Sequence, residues 1–229
     1  AANIAGVATA PTLTVQNAAG NAGSPIALHI ASALTATDGA ESLSIMLSGV
    51  PGVATLSAGT KNADGSWTLT PAQLAGLTLM APAGSFAGTA NLTVTATAIE
   101  TNGSTASATT SLAATIAGVA TAPTLTVQNA SGNAGSAIAL NIASALTATD
   151  GTEALSLSIA GLPAGASLSA GTKNADGSWT LTPAQLTGLT LTAPAGSFAG
   201  TANLTVTATA TEADGSTASA TASLAATIA

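Results

Sequence analysis

Apolar and polar residues alternate with a period of two along most of this chain. Leu13 and Val15 flank Thr14, and Ile26, Leu28 and Ile30 share a face whose reverse carries Ala27 and His29. Leu43, Ile45 and Leu47 alternate with Ser44, Met46 and Ser48; Trp67 and Leu69 alternate with Ser66, Thr68 and Thr70; Leu77 and Leu79 follow. The clearest run is Asn91 to Ala98, with Leu92, Val94 and Ala96 expected inward and Thr93, Thr95 and Thr97 outward. A last run covers about Ser104 to Ile116. Residues two apart share one face of a strand, and threonine suits the solvated face of a sheet. The pattern predicts β-structure throughout.

Turn chemistry separates the runs. Asn17 to Ser24 reads as a Gly/Asn/Ala loop, Gly49-Val50-Pro51-Gly52 as a turn, and Asp64-Gly65 as the close of a hairpin. The stretch from Thr70 to Gly76 differs. A Thr cap, Pro71 at the first helical position, Gln73 three residues after the cap and a closing glycine describe one short helical turn. About seven or eight short strands at this spacing imply an antiparallel sandwich of immunoglobulin type. The chain has no cysteine, so the Cys-Trp-Cys core mark of antibody domains is missing and the expectation rests on strand count and spacing.

The whole pattern then repeats. Residues 5–116 and 117–228 align without a gap, and 93 of the 112 positions are identical. That period is too long for a solenoid repeat and matches a complete small domain. The predicted domains are 1–116 and 117–229, two tandem immunoglobulin-like β-sandwiches. The connection Ala117 to Ala122 is too brief for a floppy tether, so the two are expected to form a rod. Strands of about 10 residues span roughly 33 Å, which adds on the order of 40 Å per domain. The first copy runs from LAATI into AGVATAP whereas the second ends on LAATIA, which reads as a chain cut between repeats. No charged and apolar leader marks the start.

Composition narrows the function classes. Lys61 and Lys173 are the only basic residues among 229, against nine acids, so no phosphate-neutralising surface can be built and no nucleic-acid partner is expected. No apolar run approaches the roughly 18 residues of a membrane helix, so no membrane insertion is expected. His29 is the single histidine and Asn141 replaces it in the second copy, which removes a catalytic or metal role common to both. There is no Ser-His-Asp set and no glycine-rich phosphate loop entering a helix, so the chain reads as a non-enzyme. Trp67 and Trp179 read as core anchors rather than sugar platforms, since Leu69 and Leu181 follow on the same face.

The stretches LTATDGAESLSIMLSGVP, LSAGTKNADGSWTLTPAQLAGLTL and GTANLTVTATAIETNGSTAS resemble the immunoglobulin-like repeats of giant bacterial type 1-secreted (RTX) adhesins. The resemblance covers nearly all of each repeat. It implies an extracellular rod on the bacterial surface, rich in calcium, that holds a distal binding region away from the cell. This sequence carries Thr9 and Thr121, Ala22-Gly23 and Ala134-Gly135, and Ala36 and Ala148 where such repeats carry acids. Calcium takes six to eight oxygens, several of them carboxylate. A module depleted in this way is expected to depend less on calcium than its acid-rich relatives.

The remaining candidate ligands are Asp38, Glu41 and Glu100, with Asp150, Glu153 and Glu212 in the second copy. Asp38-Gly39 and Asp150-Gly151 are also good turn chemistry by themselves, with the glutamates as solvated charges. Calcium is the one cofactor brought in by the resemblance; composition alone requires none. The leading reading is a structural extender whose partners are neighbouring repeats of the same chain. The alternative is a module that self-associates laterally, or contacts sugar or ice, through its threonine-rich faces.

Overall fold

A computed structural model describes residues 6–36 and 39–229. The chain divides into two compact units, residues 1–119 and 120–229. Residues 117–119 go with the first unit because Val119 packs against its core. In that unit β1 (Thr12–Val15) and β2 (Ala18–Asn21) precede β3 (Ile26–Ala27), β4 (Ile30–Ala33) and β5 (Glu41–Ser48). Three short strands follow, β6 (Thr55–Leu56), β7 (Thr60–Lys61) and β8 (Trp67–Leu69), then a 3-10 turn at Pro71–Leu74 and β9 (Thr78–Met80). The long hairpin of β10 (Gly88–Glu100) and β11 (Thr105–Ala117) closes the unit.

The second unit repeats this order. It runs through β12 (Thr124–Val127), β13 (Ala130–Gly132), β14 (Ile138–Ala139), β15 (Ile142–Ala145) and β16 (Ala154–Ala160). Then come β17 (Ser167–Leu168), β18 (Thr172–Lys173), β19 (Trp179–Leu181) and a 3-10 turn at Pro183–Leu186. The unit ends with β20 (Thr190–Thr192), β21 (Gly200–Thr211) and β22 (Thr217–Ile228).

Each unit is a sandwich. One layer is the six-stranded sheet β2-β11-β10-β5-β8-β7; the other is made of β3-β9-β6 and the pair β1-β4, and the second unit matches both layers. All pairings are antiparallel except β2 with β11 and its counterpart β13 with β22. The run from Ile26 to Ala33 changes partner midway. Its first part pairs with β9 and its second with β1, and Leu28 N still donates to Leu77 O at 2.9 Å between them. The first strand likewise breaks at Gln16-Asn17 and crosses to the other sheet. Asn17 Oδ1 accepts Ala113 N at 2.9 Å and so pins that crossing to β11.

The predicted alternation holds. Along β10, Leu92, Val94 and Ala96 are buried, and Thr93, Thr95 and Thr97 point away from the core. Ile45, Leu47, Leu69, Leu77, Leu79, Leu92, Leu112 and Ile116 are fully buried between the layers. With so few aromatic residues, aliphatic side chains fill the core and alanines lie where the layers close. The Asn17–Ser24 stretch, expected as loop, contains β2. It shows no run of large apolar residues because backbone hydrogen bonds to β11 hold it, with only the small Ala18 and Ala22 inward.

Local turns follow their sequence signals. Gln73 Oε1 accepts Thr70 N at 2.9 Å, the half of the capping box that glutamine supplies. In the β7–β8 hairpin, Asp64 Oδ1 accepts Ser66 Oγ at 2.7 Å and Ser66 N at 2.9 Å. The Ser66 hydroxyl first, and its backbone amide second, hold the Asp64 carboxyl below its ordinary value; Ser178 does the same for Asp176. A depressed folded-state value contributes stability above the unfolded value, lost as pH falls through the folded one. Acid titration should therefore loosen these hairpins only below the ordinary aspartate range. Asp64→Asn and Asp176→Asn together should flatten that acidic limb of the melting-temperature profile, and an unaltered limb would remove these turns from the account.

Candidate functional site

Strand alternation carries the acids inward. On β10 the inward positions are Ala90, Leu92, Val94, Ala96 and Ala98, and the next is Glu100, only 5% exposed. On β5 the same face holds Ile45 and Leu47 and begins with Glu41. Ladder register places Glu41 directly opposite Glu100. Like charges in directly opposed positions are destabilising, so this pair needs compensation. In the second unit Glu153 and Glu212, 9% and 4% exposed, flank the same ladder just beyond its last pair, Ala154 opposite Thr211.

Backbone amides and hydroxyls satisfy part of each carboxylate. Glu41 Oε1 accepts Thr9 N at 2.6 Å, and Glu153 Oε1 accepts Thr121 N at 2.6 Å and Thr121 Oγ1 at 3.2 Å. Glu100 Oε2 accepts Thr101 N at 3.3 Å. Glu212 Oε2 accepts Thr152 Oγ1 at 2.7 Å, and Asp150 Oδ1 accepts Thr152 N at 3.3 Å. Four other oxygens are left over. Glu41 Oε2, Asp150 Oδ2, Glu153 Oε2 and Glu212 Oε1 are buried without a hydrogen-bond partner. Asp38 lies outside the described residues.

Within each unit, the described lysine lies far from these acids. Lys61 pairs in register with Trp67, and Trp67 with Leu47, six residues along β5 from Glu41. Six residues of strand span about 20 Å, beyond a Debye length of roughly 8–10 Å. Lys173 occupies the same row of the second unit, opposite Trp179 and then Ile159.

Three unpartnered carboxylate oxygens at one end of the second unit are the donor chemistry of a hard cation such as calcium, which takes oxygen ligands. As the side chains stand, no group of three His, Cys, Asp or Glu among the described residues converges at metal-ligand spacing. A complete shell there needs carbonyls and water as well as Asp150, Glu153 and Glu212. The first unit offers less, since Ala40 stands where Thr152 does and Asn102 where Asp214 does.

Thr9 and Thr121 emerge as partners of the acids, as does Thr152, and none was among the candidates read from sequence. Glu100 was a candidate, but its orientation was not seen. Extending the period of two from Leu92 through Ala98 to residue 100 is the signal that places it on the core face.

No family model and no curated protein matches the chain. Among solved structures, it is similar to protocadherin gamma B2 extracellular cadherin domains 1–5, at 14% identity and a TM-score of 0.45, covering 96% of this chain and 40% of that one. It is similar to the Yersinia pseudotuberculosis adhesin InvE at 17% identity and a TM-score of 0.31, covering 93% and 58%. The fibronectin(III)-like modules of Clostridium thermocellum CbhA match at 11% identity and a TM-score of 0.26, covering 95% and 94%. The chain thus spans less than two thirds of the protocadherin and InvE structures.

Proposed function

We propose that this chain is a non-catalytic extender segment of a bacterial surface adhesin, in which repetition of one sandwich sets the reach of a distal binding region. One observation carries the reading: the polypeptide enters each unit at one end and leaves it at the other. The entering segment is held by the β10–β11 turn, where Ala8 N donates to Ser104 Oγ at 2.8 Å and Asn102 Nδ2 to Gly6 O at 2.6 Å. The chain leaves at the far end of β11, where Ile116 lies opposite Gly88 and Ala117 O accepts Ala22 N at 2.9 Å. The 13 residues of β11 span about 43 Å between these points. A domain threaded in this way adds length with every copy.

Small-angle X-ray scattering tests the reading. A rod of two such units should show a radius of gyration well above the roughly 17 Å of a compact globule of 229 residues. A value near that of the globule sinks the extender.

The acid end adds a second expectation. A calcium ion held by Asp150, Glu153 and Glu212 would offset their unpaired charge, and Glu41 and Glu100 would form the weaker counterpart. Millimolar calcium should raise the melting temperature relative to EDTA by a few degrees, equivalent to ~1 kcal/mol in a domain of this size. Glu212→Gln should abolish most of that gain. Identical curves with and without calcium would leave these acids metal-free.

The alternative reading has its own support. Outward hydroxyls on β10 and β11 form cross-strand pairs, with Thr95 and Thr109 Oγ1 3.1 Å apart and Thr97 Oγ1 2.9 Å from Ser107 Oγ. The same ladder recurs at Thr207 with Thr221 and Thr209 with Ser219. These uncharged faces offer nothing to repel a like copy. Lateral filaments in sedimentation at high concentration would favour self-assembly over the monomeric extender.

A further inference from the structure

Among the described residues, the parallel pairing of each unit joins the entering arm of the chain to the leaving strand. In the first unit the arm runs through β1 and crosses at Gln16-Asn17 into β2. There β2 lies beside the end of β11, from Ala18 with Ala114 to Asn21 with Ala117. Further hydrogen bonds lengthen this ladder at both ends. Asn17 Oδ1 accepts Ala113 N at 2.9 Å ahead of β2, and Ala117 O accepts Ala22 N at 2.9 Å after it. β2 is also held against the other layer, since a Cβ on Gly20 would stand 2.7 Å from Ile26 Cγ1 on β3. The second unit repeats the arrangement. Ala130 to Gly132 lie beside Ala226 to Ile228, and Asn129 Oδ1 accepts Ala225 N at 3.0 Å. A Cβ on Gly132 would stand the same 2.7 Å from Ile138 Cγ1.

Strand direction decides how this ladder meets tension. The chain comes to β1 and β2 from the end of the unit that carries the β10–β11 turn, and it leaves β11 at the opposite end. A pull along the chain therefore draws β2 toward the first end and β11 toward the second, along the strand axis. Every hydrogen bond of the ladder is loaded at once, and all must break together. Were the two strands antiparallel, the same pull would peel them apart from one end, one bond at a time. A single hydrogen bond contributes only about 0.5–1.5 kcal/mol net, so sharing the load decides whether the ladder holds.

We infer that β2 with β11, and β13 with β22, form a shear clamp that keeps each sandwich closed while the chain bears tension. The clamp rests on the extender reading for its purpose, because tension reaches a unit only where the chain ties two bodies together. Asn17 and Asn129 are its positioning residues. Each carries the ladder one bond past the point where the backbone crosses between layers, so that one more contact shares the load. Unfolding under force is governed by the rate of unfolding rather than by equilibrium stability, so the clamp shows itself in the direction of pulling.

Single-molecule pulling on the intact chain from its two ends should give one unfolding peak per unit. The chain has no cysteine, so two introduced ones define a second axis. Ser24→Cys and Thr115→Cys, exposed positions near the end of the unit where β11 finishes, take handles that peel β2 from β11 beginning at Asn21 and Ala117. The end-to-end peaks should be several times higher than the peak on this peeling axis. Asn17→Ala should lower one of the two end-to-end peaks and Asn129→Ala the other. Asn17→Asp, which keeps the accepting oxygen, should restore the first. On the peeling axis Asn17→Ala should change nothing, because its bond is the last to break. Peaks of equal height on the two axes overturn the clamp. So does an end-to-end peak indifferent to Asn17→Ala, or a fall that is the same on both axes and marks a general loosening of the fold. A compact globule in scattering sinks the extender and leaves the clamp standing, so the two failures are told apart.

Discussion

Leu92→Ala is expected to lower the stability of the first unit by about 2–5 kcal/mol, toward the upper end of that range. Leu92 is fully buried at the middle of β10, directly opposite Leu112 on β11. The cost of such a truncation depends on how far the surroundings collapse into the space left behind. Here they can move little. β10 is hydrogen-bonded on both sides, to β11 and to β5, so its backbone holds the inward neighbours Ala90 and Val94 in place, and Ala90 is too small to reach the cavity. With one tryptophan per unit, urea unfolding of a Trp179→Phe chain followed by fluorescence reports the first unit through Trp67. The midpoint should fall with little change in slope. Leu204→Ala, read through Trp179 in a Trp67→Phe chain, should behave alike. A midpoint that does not move would show that this position is not core.

The second large effect is a collision. Gly49, in the turn after β5, has φ +84°, and a Cβ there would run into the backbone carbonyl of Asn91 on β10. Gly103, in the β10–β11 turn, has nearly the same φ, +88°, with open space around its missing Cβ. The pair separates strain from collision. Gly103→Ala should cost ~1–2 kcal/mol, the penalty of a left-handed alanine. Gly49→Ala bears that penalty and must also displace β10, so its cost should be at least twice as large and can prevent folding at 37 °C. Thermal melts of the two variants side by side decide the matter. Equal losses would mean that the turn after β5 yields freely.

How much of this was legible beforehand depends on the kind of force involved. Leu92, Val94 and Ala96 could be placed inward from sequence because a strand has a fixed period and water excludes apolar surface. The hairpin at Asp64-Gly65 and the turn beginning at Pro71 were legible because their residues make local hydrogen bonds. β2 was missed because it is held by backbone pairing with β11, almost a hundred residues away, and leaves no apolar pattern. The acid site was half legible. Glu41 and Glu100 were singled out by type, but their opposition depends on the register of β5 on β10, which no local pattern states.

The same division holds for the molecule as a whole. The sequence by itself determined that there are two copies of one β-domain, which faces of the strands are buried, and that nucleic-acid binding has no basic surface to work with. These follow from period, composition and repetition, which are properties of a chain before it folds. Only the tertiary structure decided that the chain crosses each unit from end to end, and that Glu41 stands directly opposite Glu100 at the end of one ladder. Those depend on strand pairing at long sequence separation, where the energy comes from contacts that exist only once the layers have come together.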